Sequence, residues 1–179
     1  MTRTEIREQI FLLLFRIEFN SEEEMPEQLK LFFEEESQKD EDYTSAKEAS
    51  EEEKLYISGK FGNICAKISE IDSLINEKAK GWDTARMGKV DLTIIRLGLY
   101  ELLFDDEIPE GVAINEAVEL AKKFGQEESS GFVNGILAKF TQKGSEKPEA
   151  EVKKSKFSNK EESAAILVNR KKKSGAKKN

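Results

Sequence analysis

With no histidine and one cysteine among 179 residues, this chain has few groups that could do chemistry. The missing imidazoles exclude His-dependent acid–base catalysis, activation of a serine or cysteine nucleophile by histidine, and any zinc site that needs a His ligand. Cys65 has no base near it in sequence and reads as a small core hydrophobe; a lone cysteine also excludes a disulfide framework and a cysteine-built metal cluster. Arg96 and Glu101 are ionisable residues inside an apolar run, and both need partners if they are buried. They have no second titratable cluster beside them, so a catalytic role is not expected. No catalytic residue, metal ligand or cofactor is assigned. What remains is binding chemistry: Arg3 and Arg7 at the N-terminus, an aromatic at Phe132, and a basic C-terminal run, RKKKSGAKKN.

These groups must be positioned by helices. Three prolines and 11 glycines leave little punctuation for a many-stranded protein, so the chain is expected to be all-α. A helix over about 4–19 places Ile6, Ile10, Leu13, Leu14 and Ile17 on one stripe, with Phe11, Leu12, Phe15 and Phe19 on the opposite side. Such a helix is either sandwiched inside the protein or offers one face to a partner. Further helices are expected over about 26–36, over 51–69 with Leu55, Ile57, Ile64, Cys65 and Ile68 as apolar set, and through Ile71, Leu74 and Ile75 to near Gly81. VDLTIIRLGLYELLF (90–104) is apolar nearly all round, the pattern of a central helix. The next has Ile114, Val118, Ala121 and Phe124 as its stripe and Gly125 at its end. The last has Val133, Ile136, Leu137 and Phe140, with Phe132 at the edge of the buried face beside Ser129. An aromatic there either packs at the rim or offers a stacking surface to a base.

Charge is unevenly spread. Residues 21–54 hold 14 acids and 4 lysines, while residues 144–179 hold 11 bases and 5 acids, within a net charge of −7. The stretch from about 37 to 53 reads as an acidic, solvated connection. The tail, 142–179, reads as disordered; its cations either attract phosphate backbones without reading sequence or merely solubilise. The apolar run Ile10–Phe15 is too short to span a membrane and follows Glu5 and Glu8, so a soluble, cytoplasmic protein with no membrane partner is expected.

WDTARMGKVDLTIIRLGLYELL (82–103), IPEGVAINEAVELAKKFGQEESSGFVNGILAKF (108–140) and the opening IREQIFLLLF together resemble the NusB family of transcription antitermination factors. The likeness covers about residues 3–141 and is strongest in the C-terminal half. It implies a compact bundle of about seven helices, in two three-helix-like halves packed around the first helix, over a 1–141 RNA-binding domain. It implies a binding protein, not an enzyme. Family members bind single-stranded boxA-type RNA with the ribosomal protein NusE, and act with RNA polymerase in the transcription elongation complex on rRNA operons. Both monomers and dimers fit the resemblance. Position by position, it implies RNA contacts at Arg3, Arg7, Ser129 and Phe132, and contacts with NusE at Phe15, Asp91 and Glu128. Asn115 and Glu116 match signature positions expected to form hydrogen bonds within the fold. Thr4 and Glu5 stand where further arginines are common, and Gly131 replaces a frequent basic residue. Each lost cation should lower both RNA affinity and its salt dependence. The resemblance leaves two other readings: a helical adaptor that binds only proteins, and an rRNA methyltransferase with a NusB-like N-terminal domain. The latter lacks any glycine-rich fingerprint for a methyl donor here.

Overall fold

Thr2 begins the first helix by accepting the Glu5 N–H while the Glu5 carboxylate accepts the Thr2 N–H, a reciprocal cap that satisfies two orphan donors. The structure, a computed structural model, describes residues 1–36 and 49–141. Among these residues there are seven α-helices and no strands: α1 Arg3–Phe15, α2 Met25–Glu36, α3 Glu51–Cys65, α4 Ile68–Lys78, α5 Lys89–Phe104, α6 Glu110–Phe124 and α7 Ser129–Ala138. Short 3-10 turns cover Arg16–Glu18 and Glu22–Glu24. A second reciprocal cap, Ser50 with Glu53, starts α3. Residues 37–48 of the acidic connection and the whole basic tail lie outside the described residues.

α5 is the central helix its composition predicts: Ile94, Ile95, Leu97 and Leu99 are fully enclosed. α6 and α7 pack against it and each other, and α1 packs across α3 and α5. Gly98 allows the close approach, because a Cβ there would stand 3.0 Å from Leu137 Cδ1 and 3.2 Å from Ala117 Cβ. α1 is sandwiched along its middle, where Ile10, Leu13 and Leu14 on one face and Phe11 on the other are all buried. Phe11 stacks on Phe124 at the end of α6, 4.8 Å between centroids.

Several element boundaries and faces differ from expectation. The first α-helix ends at Phe15, with one tighter turn carrying the chain to Glu18, so Phe19 is 63% exposed. The helix expected over 51–69 ends at Cys65, and α3 buries Ile57, Phe61 and Ile64 while Leu55 is 61% exposed. α6 buries Ala113, Ala117, Leu120 and Ala121; of the expected stripe Ala121 is fully enclosed, while Ile114, Val118 and Phe124 are half-buried. The tight contact at Gly98 admits alanine but no branched side chain, which rotates Ile114 and Val118 onto the wall of a groove toward α7.

Arg96 and Glu101 of α5 find their partners inside the fold. Arg96 donates to Asp72 through two parallel bonds, Nε–Oδ1 2.8 Å and Nη2–Oδ2 2.7 Å, and also pairs with Glu18. Glu101, 1% exposed, accepts from Arg7 of α1 and from Lys60 of α3 at 2.7 Å; Lys60 also reaches Asp105 at 3.1 Å. These ion pairs tie α1, α3, α4 and the turn at Glu18 to α5.

Candidate nucleic-acid and partner interfaces

The loop between α4 and α5 is fastened at both ends. Asn76 on α4 accepts the Thr84 N–H at 2.9 Å and donates to the Thr84 hydroxyl at 3.2 Å. Asp83 accepts the Ala85 N–H on its carboxylate and the Arg86 N–H on its carbonyl, and Met87 is buried. Gly81 takes a φ of +90°, a conformation most side chains avoid. The result presents Trp82, 52% exposed, against Phe132 on the first turns of α7, with ring centroids 4.8 Å apart at 60°. Phe132 is half-buried and packs on the core. It therefore lies at the rim, as its helical angle predicts, and it shares that position with a second, more exposed aromatic. Sequence reasoning missed Trp82. Its signal was a large aromatic in a polar loop, where no core position calls for one. Lys80 and Arg86, two and four residues from Trp82, are exposed.

α7 itself is set by the turn before it. Ser129 is buried, and its hydroxyl accepts the Gln126 N–H at 2.9 Å. Its side chain, expected to contact RNA, is here bonded to the backbone of the turn. Gly125 is required here: a Cβ would fall 2.5 Å from Ser129 Cβ and 2.6 Å from the Ala121 carbonyl oxygen. Gly131 is exposed.

Arg3 and Arg7 line one cleft of about 270 Å³, with Ile6, Tyr56, Lys60 and Glu101 among its walls. They do not share a role. Arg3 is exposed at the first turn of α1. Arg7 is 6% exposed, bonded to Glu101 and 3.1 Å from Glu116. Of the two arginines expected to contact RNA, Arg3 faces solvent, whereas Arg7 is enclosed and is satisfied by the carboxylates of Glu101 and Glu116. Glu116 also accepts from the Thr4 hydroxyl at 3.2 Å, an internal role of the kind expected for it. Asn115 instead is exposed and lines the α6–α7 groove. Tyr56, 47% exposed, adds an aromatic face to the Arg3 cleft.

The expected partner residues fall on three elements. Phe15 is half-buried in an aromatic row, 6.2 Å from Phe11 and 5.2 Å from Phe19. Asp91, in the first turn of α5, has a buried Oδ1 with no hydrogen-bond donor among the described residues. Glu128 is exposed at the N-cap of α7, where its charge suits the helix dipole. Beside Phe15, burial pushes the Glu18 carboxyl up, but hydrogen bonds from Lys89 and Arg96 and their charges outweigh it and hold it below its usual range. Burial pushes the Cys65 thiol up to about 12, so the inert reading of that residue stands.

Among the described residues no helix is long and apolar enough to cross a membrane. The architecture is that of a known class of helical regulatory proteins. T. maritima NusB superposes with a TM-score of 0.64 at 34% identity, covering 78% of this chain and 89% of that one. A NusB chain in a crystal structure of the antitermination factors NusB and NusE with dsRNA superposes with a TM-score of 0.63 at 28% identity, covering 76% of this chain and 92% of that chain. In sequence, the transcription antitermination protein NusB of Agathobacter rectalis is 50% identical over 140 residues, 78% of this chain and 99% of that protein. That of Lachnoclostridium phytofermentans is 47% identical over 139 residues, 78% and 98%. Residues 4–142 match the NusB family, and the chain belongs to it.

Proposed function

We propose that this protein is a transcription antitermination factor that binds boxA-type single-stranded RNA together with NusE, and joins the RNA polymerase elongation complex on rRNA operons. It acts in the cytoplasm by binding and not by bond-making. The observation that carries this reading is the family match over residues 4–142, joined to the fold shared with the NusB–NusE–dsRNA structure.

On the RNA side, Phe132 and Trp82 offer π faces to splayed bases, a mode suited to unpaired RNA. Arg3 supplies a phosphate contact, while Arg7 holds α1 in place beneath it. On the protein side, Phe15, Asp91 and Glu128 face NusE. Acidic groups such as Asp91 and Glu128 favour encounter with a ribosomal protein of opposite charge.

The test is a titration of labelled boxA-type RNA with this protein, with and without NusE, using a scrambled strand and a duplex of equal length as controls. Tighter binding of the boxA strand that strengthens with NusE is expected. Capture of NusE with no measurable affinity for any of the RNAs would replace the proposal with a protein-only adaptor.

A further inference from the structure

The cleft at the start of α1 holds more than a contact for Arg3 alone requires. Ile6, Ile10 and Ile108 give it apolar surface, and Tyr56 on α3 gives it an aromatic wall. Tyr56 is 47% exposed and lies outside the hydrophobic core. Its ring is nonetheless supported, with the Lys60 ammonium 6.0 Å from the centroid. A second wall is the turn between α5 and α6. Asp105 fixes that turn: one carboxylate oxygen accepts the Glu107 N–H at 3.1 Å, the other pairs with Lys60 at 3.1 Å, and its carbonyl accepts the Ile108 N–H at 3.2 Å. The turn brings the exposed Glu107 to the cleft.

The charges decide what fits. Both enclosed cations are already matched, Arg7 by Glu101 and Glu116, Lys60 by Glu101 and Asp105. Glu107 adds a carboxylate to the lining, which disfavours an anion inside. The volume, about 270 Å³, falls below the ~300–1,000 Å³ of sites for drug-sized ligands and suits one planar ring system. Apolar surface, a π face and a carboxylate acceptor complement a neutral base that carries an exocyclic amino group. Arg3, exposed in the first turn of α1, supplies the charge for the phosphate attached to it.

We propose that this cleft is a nucleotide subsite, which takes one unpaired base of the RNA stacked on Tyr56 and donating its amino group to Glu107, while Arg3 meets the phosphate. The inference rests on the RNA-binding reading above and adds two residues to it. Adenine, cytosine and guanine carry an amino group; uracil presents a carbonyl oxygen in its place, which the carboxylate repels. The subsite therefore selects against uracil.

The experiment is a double-mutant cycle between protein and RNA. BoxA-type single strands, each made abasic at one nucleotide in turn, are titrated against the full chain and its Tyr56→Ala and Tyr56→Phe variants, with circular dichroism to confirm unchanged helix content. At one position, loss of the base should weaken binding to the parent by about 5- to 100-fold, to Tyr56→Phe nearly as much, and to Tyr56→Ala by less than about twofold. With uracil at that position the parent should bind at least about fivefold more weakly than with cytosine, and Glu107→Gln should narrow the gap. If no position couples to Tyr56 while the parent still binds the strand, the inference is overturned and the function stands. Tyr56→Ala that loses capture of NusE but keeps its RNA affinity would overturn it too, since the cleft would then belong to the protein partner. A gap between uracil and cytosine that Glu107→Gln leaves unchanged would overturn the selectivity. A parent protein that binds no strand would remove both the inference and the reading beneath it.

Discussion

Arg7 and Glu101 meet across the centre of the bundle, the arginine Nε 2.9 Å and 3.1 Å from the two carboxylate oxygens, with 7% and 1% of their side chains exposed. A pair so enclosed has lost its hydration and holds only because each charge is matched; Lys60 and Glu116 complete the match. Two arginines four residues apart on one helix therefore do different work. One is part of the architecture, and the other faces water.

Arg7→Ala leaves Glu101 with Lys60 alone among its two cationic partners. The variant is expected to lose about 3–5 kcal/mol of stability in urea unfolding, the cost of breaking a buried pair from one side. RNA affinity of the folded protein should stay within about twofold. Arg3→Ala should do the reverse: stability unchanged, and a salt slope of RNA binding lower by about 0.7.

Gly125→Ala tests the coupling of fold to site. The added methyl group has no room between Ser129 and the Ala121 carbonyl, so the turn that launches α7 must shift. A loss of about 1–3 kcal/mol is expected from overpacking, together with weaker RNA binding through misplacement of Phe132. Thermal unfolding and RNA titration on the same sample measure both. Full stability with full affinity would show that the turn is more forgiving than its geometry.

Glu18 gives the stability a pH dependence of known sign. Its carboxyl is depressed in the folded protein below the usual 4.5, so its contribution is complete above about pH 4.5 and disappears as pH falls through the lower folded value. Urea midpoints measured from pH 6 to 3 should fall more steeply for the parent than for Glu18→Gln. The variant is less stable at pH 6, because Arg96 and Lys89 lose a charged partner.

How far these features can be read from sequence depends on what each pattern reports. The helix of residues 89–104 was plain because an apolar run on every face has one place to go. The need for partners at Arg96 and Glu101 followed from the same burial, but their identities did not, since Asp72, Glu18, Arg7 and Lys60 come from distant turns of other helices. The partners of Arg7 were not legible either, because Glu101 and Glu116 lie about a hundred residues away in sequence. In α6 the stripe through Ala121 was legible in part, but Ala113 and Ala117 carry little hydrophobic signal, although Ala117 is what lets α6 approach Gly98. Phe132 fell at the rim where its helical angle placed it. Trp82 was missed because loops have no periodicity from which to read a facing.

Trp82 is the chain's single tryptophan and sits against Phe132, so intrinsic fluorescence reports on the proposed RNA surface without a label. The most direct measurement is titration of the full chain with boxA-type single-stranded RNA, following Trp82 emission alongside the anisotropy of labelled RNA. The account predicts quenching that saturates with the anisotropy, and Phe132→Ala and Trp82→Ala variants that bind more weakly by about 1–3 kcal/mol each with the salt slope nearly intact. RNA binding that leaves Trp82 emission unchanged, with undiminished affinity in both variants, would contradict it.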